Sequence, residues 1–284
     1  MNSQPAIELR LDSPPYVMGI LNCTPDSFSD GGAHLQPADA IRAVETELSA
    51  ADIIDVGGEA SGPHSKAISA DEELSRIGPI VKQLAPTQKL SIDTFRATTA
   101  AACLAAGAQM INDISALRFD DRMAKVVGEH DAFVVLMYSK EDGAAPHVSN
   151  RPARYRNIVL EIGDFLEARV EFALAQGISE RRIVIDPGMG AFVSQDPEDS
   201  WELLASLDRL SDRFVKLPML VGTSRKGFLG GALSERDPLS QLTALVAAVK
   251  GATILRTHQP RMAKSFLKAW ARTMSQKEVT PQKN

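Results

Sequence analysis

Cysteine is scarce in this sequence, with only Cys23 and Cys103 among 284 residues. Two thiols in a chain of this length do not make a disulfide framework, so the sequence predicts a protein of a reducing compartment. The first residues lack a basic segment followed by an apolar run, and no apolar run in the chain reaches the length of a membrane span. We therefore expect a cytoplasmic protein with no membrane partner.

An excess of basic residues is also missing. Lys and Arg number 31 against 36 Asp and Glu, which gives a net charge of −5, whereas a nucleic-acid-binding surface usually shows a basic excess. We expect no nucleic-acid partner, although a local cationic pocket is compatible with this balance. Hydrophobic residues make up 44% of the chain, which is ordinary for a globular protein and allows a sizeable core without crosslinks.

Short apolar runs rich in β-branched residues alternate with amphipathic segments, which favours buried strands separated by helices. The predicted strands cover residues 16–22, 52–58, 90–93, 110–114, 132–137, 182–188, 218–224 and 252–258. The clearest predicted helices cover residues 37–51, 71–84, 95–106, 154–176, 200–210 and 239–250. Strict alternation indicates a parallel sheet, and eight such units predict an α/β protein built as a (β/α)8 TIM barrel, with a doubly wound sheet as the alternative. We expect one domain over residues 1–275 and a disordered tail over 276–284.

Polar residues follow nearly every predicted strand. The strand ends that carry carboxylates and an amide are Asp55, Asp93, Asn112 with Asp113, and Asp186, and the cationic ends are Ser224 to Lys226 and Arg256 with His258. In a barrel these ends meet at one mouth, where catalytic groups collect. The acidic half suits a flat nitrogen heterocycle such as a 2-amino-4-oxo-pteridine, because carboxylates accept paired N–H donors. The cationic half suits a phosphate group, so the ring of residues predicts a substrate with both parts.

Seven blocks of the sequence resemble the signature of the dihydropteroate synthase family. In family order they are LNCTPDSFSDGG (21–32), ADIIDVGGE (51–59), SIDT (91–94), AGAQMINDI (106–114), IDPGMG (185–190), VGTSRKGFLG (221–230) and GATILRTH (251–258). The resemblance covers residues 18–258. It implies a TIM-barrel transferase of folate biosynthesis that condenses 7,8-dihydropterin-6-ylmethyl diphosphate with p-aminobenzoate to give 7,8-dihydropteroate and diphosphate.

The resemblance also implies roles for individual residues. The residues with an implied catalytic role are Asn22, Asp93, Lys226 and Arg256. Those implied to bind the pterin are Asp93, Asn112, Met137, Asp186, Gly222 and Lys226. Those implied to bind the diphosphate are Asn22, Ser61, Arg256 and His258, and Asn22 is the implied ligand of a Mg2+ cofactor. Those implied to form the p-aminobenzoate pocket are Thr24, Pro25, Phe28, Pro63, Phe192 and Ser224. Asp55 either supports the mouth or touches the substrate directly.

The family reaction is an SN1-like displacement, in which the diphosphate leaves before the aryl amine attacks. This chemistry needs no enzyme nucleophile, which agrees with the lack of a Ser–His–Asp or Cys–His pattern, and we expect Cys23 to be a small buried residue. The loop at 24–29 is expected to close over the site and exclude water from the cationic intermediate.

The sequence departs from the family pattern beside the second substrate. Most members continue GGE with Ser-Thr-Arg-Pro-Gly, whereas residues 60–64 of this chain read Ala-Ser-Gly-Pro-His, and the stretches at 138–139 and 191–199 also differ. One interpretation is a paralogue that lost p-aminobenzoate. The other is remodelling, because residues 59–79 and 188–204 resemble mobile sulfonamide-resistance synthases, in which an added phenylalanine narrows the pocket. Phe192 takes that place, which leads to the hypothesis of an active synthase with reduced sulfonamide affinity.

Two other functions share parts of this pattern. A pterin-dependent methyltransferase barrel shares the pterin acids but is not expected to carry the cationic pair SRK and RTH. A pterin-binding paralogue without synthase activity is the non-enzymatic alternative. Members of the family usually form homodimers. We expect the same of this chain, through its late helices, although the sequence carries no signature of a dimer.

Overall fold

The chain folds into a barrel of eight parallel strands, seen in a computed structural model that describes residues 5–24, 37–60, 62, 65–141, 147–149 and 151–275. Strands β1 to β8 are Tyr16–Asn22, Ile53–Gly57, Leu90–Asp93, Met110–Asp113, Phe133–Met137, Ile183–Asp186, Leu220–Val221 and Ile254–Thr257. Their order around the sheet is β6-β5-β4-β3-β2-β1-β8-β7. An isolated parallel bridge between Ile185 and Met219 joins β6 to β7. The barrel is therefore nearly closed, the predicted (β/α)8 fold is confirmed, and the doubly wound alternative is wrong.

Two apolar layers follow from the alternation of side chains along each strand. One face of a strand packs against the surrounding helices, and the other points into the barrel. The inward residues nearest the beginning of the strands form a cluster of their own with Ile7: Met18, Ile53, Met110, Phe133, Val135, Val184, Leu220 and Ile254. This layer fills the lower part of the barrel, which leaves the carboxyl ends of the strands as the place for an open site.

Helices cover the outside of the barrel. In the described part of the chain they are α1 (Pro37–Thr46), α2 (Ala70–Leu84), α3 (Ala97–Ala105), α4 (Met123–Glu129), α5 (Ile158–Ala175), α6 (Pro197–Ala205), α7 (Leu207–Arg213), α8 (Arg236–Val249) and α9 (Pro260–Ser275). Helix α2 begins one residue before the predicted range, and the hydroxyl of Ser69 caps it by accepting the backbone N–H of Glu72 at 3.1 Å. None of the helices in these ranges is long and apolar enough to cross a membrane.

Some elements differ from the sequence-based prediction. The helix predicted over 200–210 is two helices, α6 and α7, which meet at Ser206. Strand β7 has two residues because Pro218 offers no backbone N–H and the chain soon turns, with the Lys226 N–H donating to the Thr223 carbonyl at 3.2 Å. The sequence pattern does not clearly predict helices α4 and α9. The predicted tail at 276–284 lies outside the described residues.

Candidate functional site

Polar side chains continue the inward face of the strands above the apolar layer. Each polar or small residue stands two positions after an inward apolar one, and side chains two apart on a strand point the same way. The pairs are Ile53 and Asp55, Met110 and Asn112, Val184 and Asp186, Leu220 and Gly222, and Ile254 and Arg256. The polar members therefore converge on one mouth of the barrel, as the strand-end pattern predicts.

Asp113 is an exception among the strand-end carboxylates. Its two oxygens accept the backbone N–H groups of Ser115 and Leu117, both at 2.8 Å. These bonds stabilise a turn in which Ala116 and Leu117 have left-handed φ angles of 51° and 62°. Asp113 thus holds the turn after β4 and does not share the inward position of Asn112.

The guanidinium of Arg256 connects two carboxylates at the mouth. Its Nε donates to Asp55 Oδ2 at 2.7 Å, and its Nη2 donates to Asp93 Oδ2 at 2.8 Å. The side-chain amide of Asn112 donates to the same Asp55 oxygen at 2.9 Å. Because Asp55 is fully buried beneath these partners, its geometry favours the supporting role over direct contact with a ligand.

A cavity with about 420 Å³ of empty space, including the open space at its mouth, is lined in part by Arg256 and Phe192. All six residues assigned to the pterin line this cavity: Asp93, Asn112, Met137, Asp186, Gly222 and Lys226. Ile114 and Met189 line it as well, and sequence reasoning missed them because apolar residues near strand ends look like ordinary core.

Burial changes the protonation of the charged groups in this cavity. Loss of water raises the pKa of Asp93 to about 7 and that of Asp186 to about 6, because burial disfavours the charged form. Burial, helped by the charge of Arg256, lowers the pKa of Lys226 to about 8. These groups therefore exchange protons near neutral pH, which is typical of functional sites.

The ring of Phe192 forms an apolar wall of the same cavity. It is buried in a cluster with Phe95, Ile114, Met137 and Val148. The ammonium of Lys226 lies 4.7 Å from the centre of its ring, which is a favourable cation–π distance. Phe192 therefore contacts both Lys226 on the cationic side of the cavity and the apolar cluster that contains Phe95 and Val148.

A second pocket is lined by Asn22, Arg225 and His258, among others. The sequence identifies Arg225 only as part of a cationic strand end. Its backbone has a left-handed φ of 59°, and its guanidinium donates to both oxygens of Asp237, at 2.8 and 3.1 Å. Arg225 and Lys226 are adjacent in sequence, yet they serve two different pockets.

Ser224 and His258 are joined by two contacts. The Ser224 hydroxyl oxygen accepts the backbone N–H of His258 at 3.2 Å and lies 2.9 Å from its Nδ1. Burial lowers the pKa of His258 to about 3, and the nearby charge of Arg256 acts in the same direction, so the ring is neutral near pH 7. If Ser224 donates its own hydrogen to Nδ1, the ring hydrogen resides on Nε2 and is available to an anion.

Several predicted residues lie outside the described residues, namely Pro25, Phe28, Ser61 and Pro63. Thr24, which ends the described part of the loop after β1, is half-buried, and Asn22 is exposed. Across the described ranges, no group of three or more His, Cys, Asp or Glu side chains is arranged to hold a metal ion.

The two cysteines are both buried and unpaired. Burial raises the pKa of Cys23 and of Cys103 to about 12. A thiol is nucleophilic as its thiolate, so Cys23 is a buried small side chain, as expected.

The chain matches the sequence profile of the family described as pterin binding enzyme over residues 18–258. It is similar to dihydropteroate synthase type-2 of Escherichia coli, with 39% identity over 252 residues that span 86% of this chain and 91% of that protein. Two structures from Xanthomonas albilineans are also similar. The dihydropteroate synthase with 4-aminobenzoic acid has 36% identity and a TM-score of 0.84 over 95% of both chains. The complex with 7,8-dihydropteroate has 35% identity and a TM-score of 0.82 over 96% of this chain and 97% of that one.

Proposed function

The chain belongs to the dihydropteroate synthase family of pterin-binding transferases, and we propose that it condenses 7,8-dihydropterin-6-ylmethyl diphosphate with p-aminobenzoate to give 7,8-dihydropteroate and diphosphate. The observation that carries this proposal is the cavity at the barrel mouth. Three hydrogen-bond acceptors converge there with two cations, and these residues are Asp93, Asn112, Asp186, Lys226 and Arg256.

The acceptors suit the polar edge of a dihydropterin. That edge presents adjacent N–H donors, and a carboxylate accepts two such hydrogens at once. Asp186 borders the cavity with its Oδ1 bonded to the Gly188 N–H at 2.8 Å, which fixes the direction of the carboxylate. The Oδ1 atom of Asn112 is buried with no hydrogen-bond partner in the described residues, and a pterin N–H would satisfy it.

The cations suit the departure of diphosphate. As the bond between the pterin methylene carbon and the diphosphate oxygen breaks, negative charge grows on the oxygen and positive charge on the pterin. Arg256 and the Nε2–H of His258 would stabilise the negative charge on the oxygen, and the carboxylate of Asp93 would stabilise the positive charge on the pterin. The amine nitrogen of p-aminobenzoate then attacks the methylene carbon and loses a proton. Ser61 is proposed to assist the diphosphate as well.

A Mg2+ ion is proposed to bind in the second pocket as a partner of the diphosphate. Mg2+ typically keeps several waters and takes one or two protein oxygens beside substrate phosphates, so the side chain of Asn22, an exposed residue, would be its protein ligand. When bound, the ion would neutralise charge on the leaving diphosphate.

The p-aminobenzoate pocket is proposed to lie between the cavity and the loop after β1. The residues assigned to it are Thr24, Pro25, Phe28, Pro63, Phe192 and Ser224. The buried ring of Phe192 supports reduced sulfonamide affinity, because a sulfonamide extends a sulfonyl group beyond the outline of p-aminobenzoate. A ring fixed at that position discriminates by a clash with the larger ligand.

Shortening Phe192 tests this part of the proposal. Phe192→Ala should bind sulfamethoxazole roughly tenfold more tightly, a gain of about 1.4 kcal/mol, because the clash is removed. The inhibition constant would be measured against p-aminobenzoate, with Phe192→Leu as a control that keeps apolar bulk. Unchanged inhibition of Phe192→Ala would contradict the drug-excluding role.

The synthase reaction itself is tested by diphosphate release. The purified protein is incubated with the pterin diphosphate, with and without p-aminobenzoate, and we expect release that depends on both. Pterin binding without turnover would favour a pterin-binding paralogue, and methyl transfer from a pterin would favour the methyltransferase barrel. Growth of a synthase-deficient bacterium carrying this chain would test the same reaction in cells.

The assembly and location are proposed as a homodimer in the cytoplasm. The two buried, unpaired thiols support a reducing compartment. Exposed apolar side chains on α8 and α9 support a dimer.

A further inference from the structure

Phe192 is carried by a short turn, in which the N–H groups of Val193 and Ser194 donate to the Gly190 carbonyl at 2.8 and 3.0 Å. The turn is a 3-10 helix of three residues, Gly190–Phe192. Gly188 and Gly190 have left-handed φ angles of 70° and 65°, and glycine is the residue with the widest conformational freedom. A ring on such a turn excludes a ligand only if neighbouring elements hold the turn in place.

Those neighbours belong to the connection between β5 and α5. The backbone N–H of Lys140 donates to the carbonyl of Phe192 at 2.9 Å. The hydroxyl of Tyr155 lies 2.6 Å from the carbonyl oxygen of Val193, which is 38 residues later in the chain. Two consecutive carbonyls of the turn are therefore held by one connection.

Chemistry fixes the direction of the hydrogen bonds in the tyrosine pair. A carbonyl oxygen only accepts, so Tyr155 donates to Val193. The hydroxyl of Tyr138, which lies 3.0 Å from that of Tyr155, then donates to Tyr155. Burial raises the pKa of both phenols, so both keep their hydrogens at neutral pH. Of the two tyrosine hydroxyls, that of Tyr155 therefore holds the turn directly and that of Tyr138 does not.

The same connection also packs against the ring. Val148 is buried in the apolar cluster that contains Phe192. The residue before it, His147, places its Nε2 atom 2.6 Å from Glu59 Oε1, which ties this part of the connection to the end of β2. Phe192 is thus held at its own carbonyl by Lys140, at the next carbonyl by Tyr155, and at its ring by Val148.

We propose that Tyr155 is a specificity-determining positioning residue, whose hydrogen bond to Val193 keeps Phe192 fixed so that arylamines larger than p-aminobenzoate are rejected. The inference rests on the proposed function and deepens it. A clash discriminates only by the free energy needed to move the clashing group aside. Because the turn contains two glycines with left-handed φ angles, hydrogen bonds from its neighbours add to that free energy. p-Aminobenzoate lacks the sulfonyl group that extends toward the ring, so we expect it to be affected less than a sulfonamide.

A pair of matched variants tests this inference. Tyr155→Phe removes only the hydroxyl that holds Val193, while Tyr138→Phe removes a phenol from the same pair and leaves that bond in place. For each, KM is measured for both substrates, together with the inhibition constant of sulfamethoxazole and the thermal midpoint. In Tyr155→Phe, the ratio of this inhibition constant to the KM of p-aminobenzoate should fall about fivefold, the effect of one hydrogen bond. The KM of the pterin diphosphate should not change, and Tyr138→Phe should match the parent.

A second variant tests the apolar packing that supports the Phe192 ring. Val148→Ala loosens the packing of Phe192 and should lower the same ratio without changing the KM of the pterin diphosphate. A parental ratio in Tyr155→Phe, or an equal fall in Tyr138→Phe, would overturn the inference while the synthase reaction stands. Absence of p-aminobenzoate-dependent diphosphate release from the parent would overturn the proposed function, and the inference with it.

Discussion

The carboxylate of Asp186 is buried at the barrel mouth, where its pKa is raised from an ordinary 3.8 to about 6. The folded protein therefore holds this proton more tightly than the unfolded chain does. Ionisation opposes folding increasingly as the pH rises from 3.8 through 6, and the full destabilisation remains at higher pH. A residue suited to binding a pterin thus weakens the fold at neutral pH.

Asp186→Asn should raise the stability of the protein at pH 8. Asparagine keeps an acceptor for the Gly188 N–H but carries no charge. At about 1.4 kcal/mol for each pKa unit, the free energy of unfolding should increase by roughly 1 to 3 kcal/mol. Urea denaturation at pH 8 and pH 4 measures this, and the gain should vanish at pH 4. Asp121→Asn, at an exposed carboxylate, is the control. An equal gain in stability in this control, or a gain in Asp186→Asn that does not depend on pH, would show that ionisation of Asp186 is not the cause.

The sequence predicts most of the cavity at the residue scale. Strand ends and alternation together place Asn112, Asp186 and Arg256 on one inward face, and alternation also explains why Asp113 lies elsewhere. The contact between Lys226 and Phe192 could not be predicted in this way. It joins the ends of two connections, and connections have no period from which side-chain direction follows.

At the scale of elements, the turn after β6 depends on the backbone of Gly188. Its φ is 70°, and a Cβ added there would lie 2.5 Å from the carbonyl oxygen of Tyr138. That segment is itself fixed, because the Tyr138 N–H donates to the Asp186 carbonyl at 2.8 Å. Neither the Gly188 backbone nor the Tyr138 carbonyl can therefore shift to relieve the contact.

Gly188→Ala should therefore lower the free energy of unfolding by at least about 2 kcal/mol, from left-handed strain and the backbone clash. Gly128→Ala is a matched control, because an added Cβ there meets nothing within 4 Å. The control should be neutral or slightly stabilising, since alanine is the better helix former. Equal midpoints in urea for the two variants would contradict the role of Gly188.

The strands were easier to predict than the helices. Each strand has a compact β-branched run between polar ends, and β1 and β3 have the predicted bounds. Helix α4 has seven residues, which is too short for a helical period to be evident. The division at Ser206 is a local hydrogen-bonding choice, with the Ser206 N–H donating to the Leu203 carbonyl at 3.1 Å, and an apolar pattern does not encode it.

At the scale of the whole molecule, two late helices expose apolar side chains. On α8 these are Leu239, Leu242 and Val249, and on α9 they are Met262, Phe266 and Met274. The spacing of three, four, seven or eight residues puts each set on one face of its helix, and α8 and α9 pack against each other. Exposed apolar side chains on two neighbouring helices are typical of an interaction site, which supports a dimer through these helices.

Leu242→Glu should convert the proposed dimer to a monomer. Leu242 is 53% exposed, so glutamate is tolerated by the isolated chain, but a charge buried in an apolar interface costs several kcal/mol (about 3 or more). Leu160→Glu is a matched control, because Leu160 is 50% exposed on α5. Light scattering during gel filtration should give half the parental mass for Leu242→Glu and the parental mass for Leu160→Glu. A monomeric parent, or a dimer that persists in Leu242→Glu, would show that this face does not join two copies of the chain. Because the barrel mouth lies within one chain, the monomeric variant should still bind a pterin.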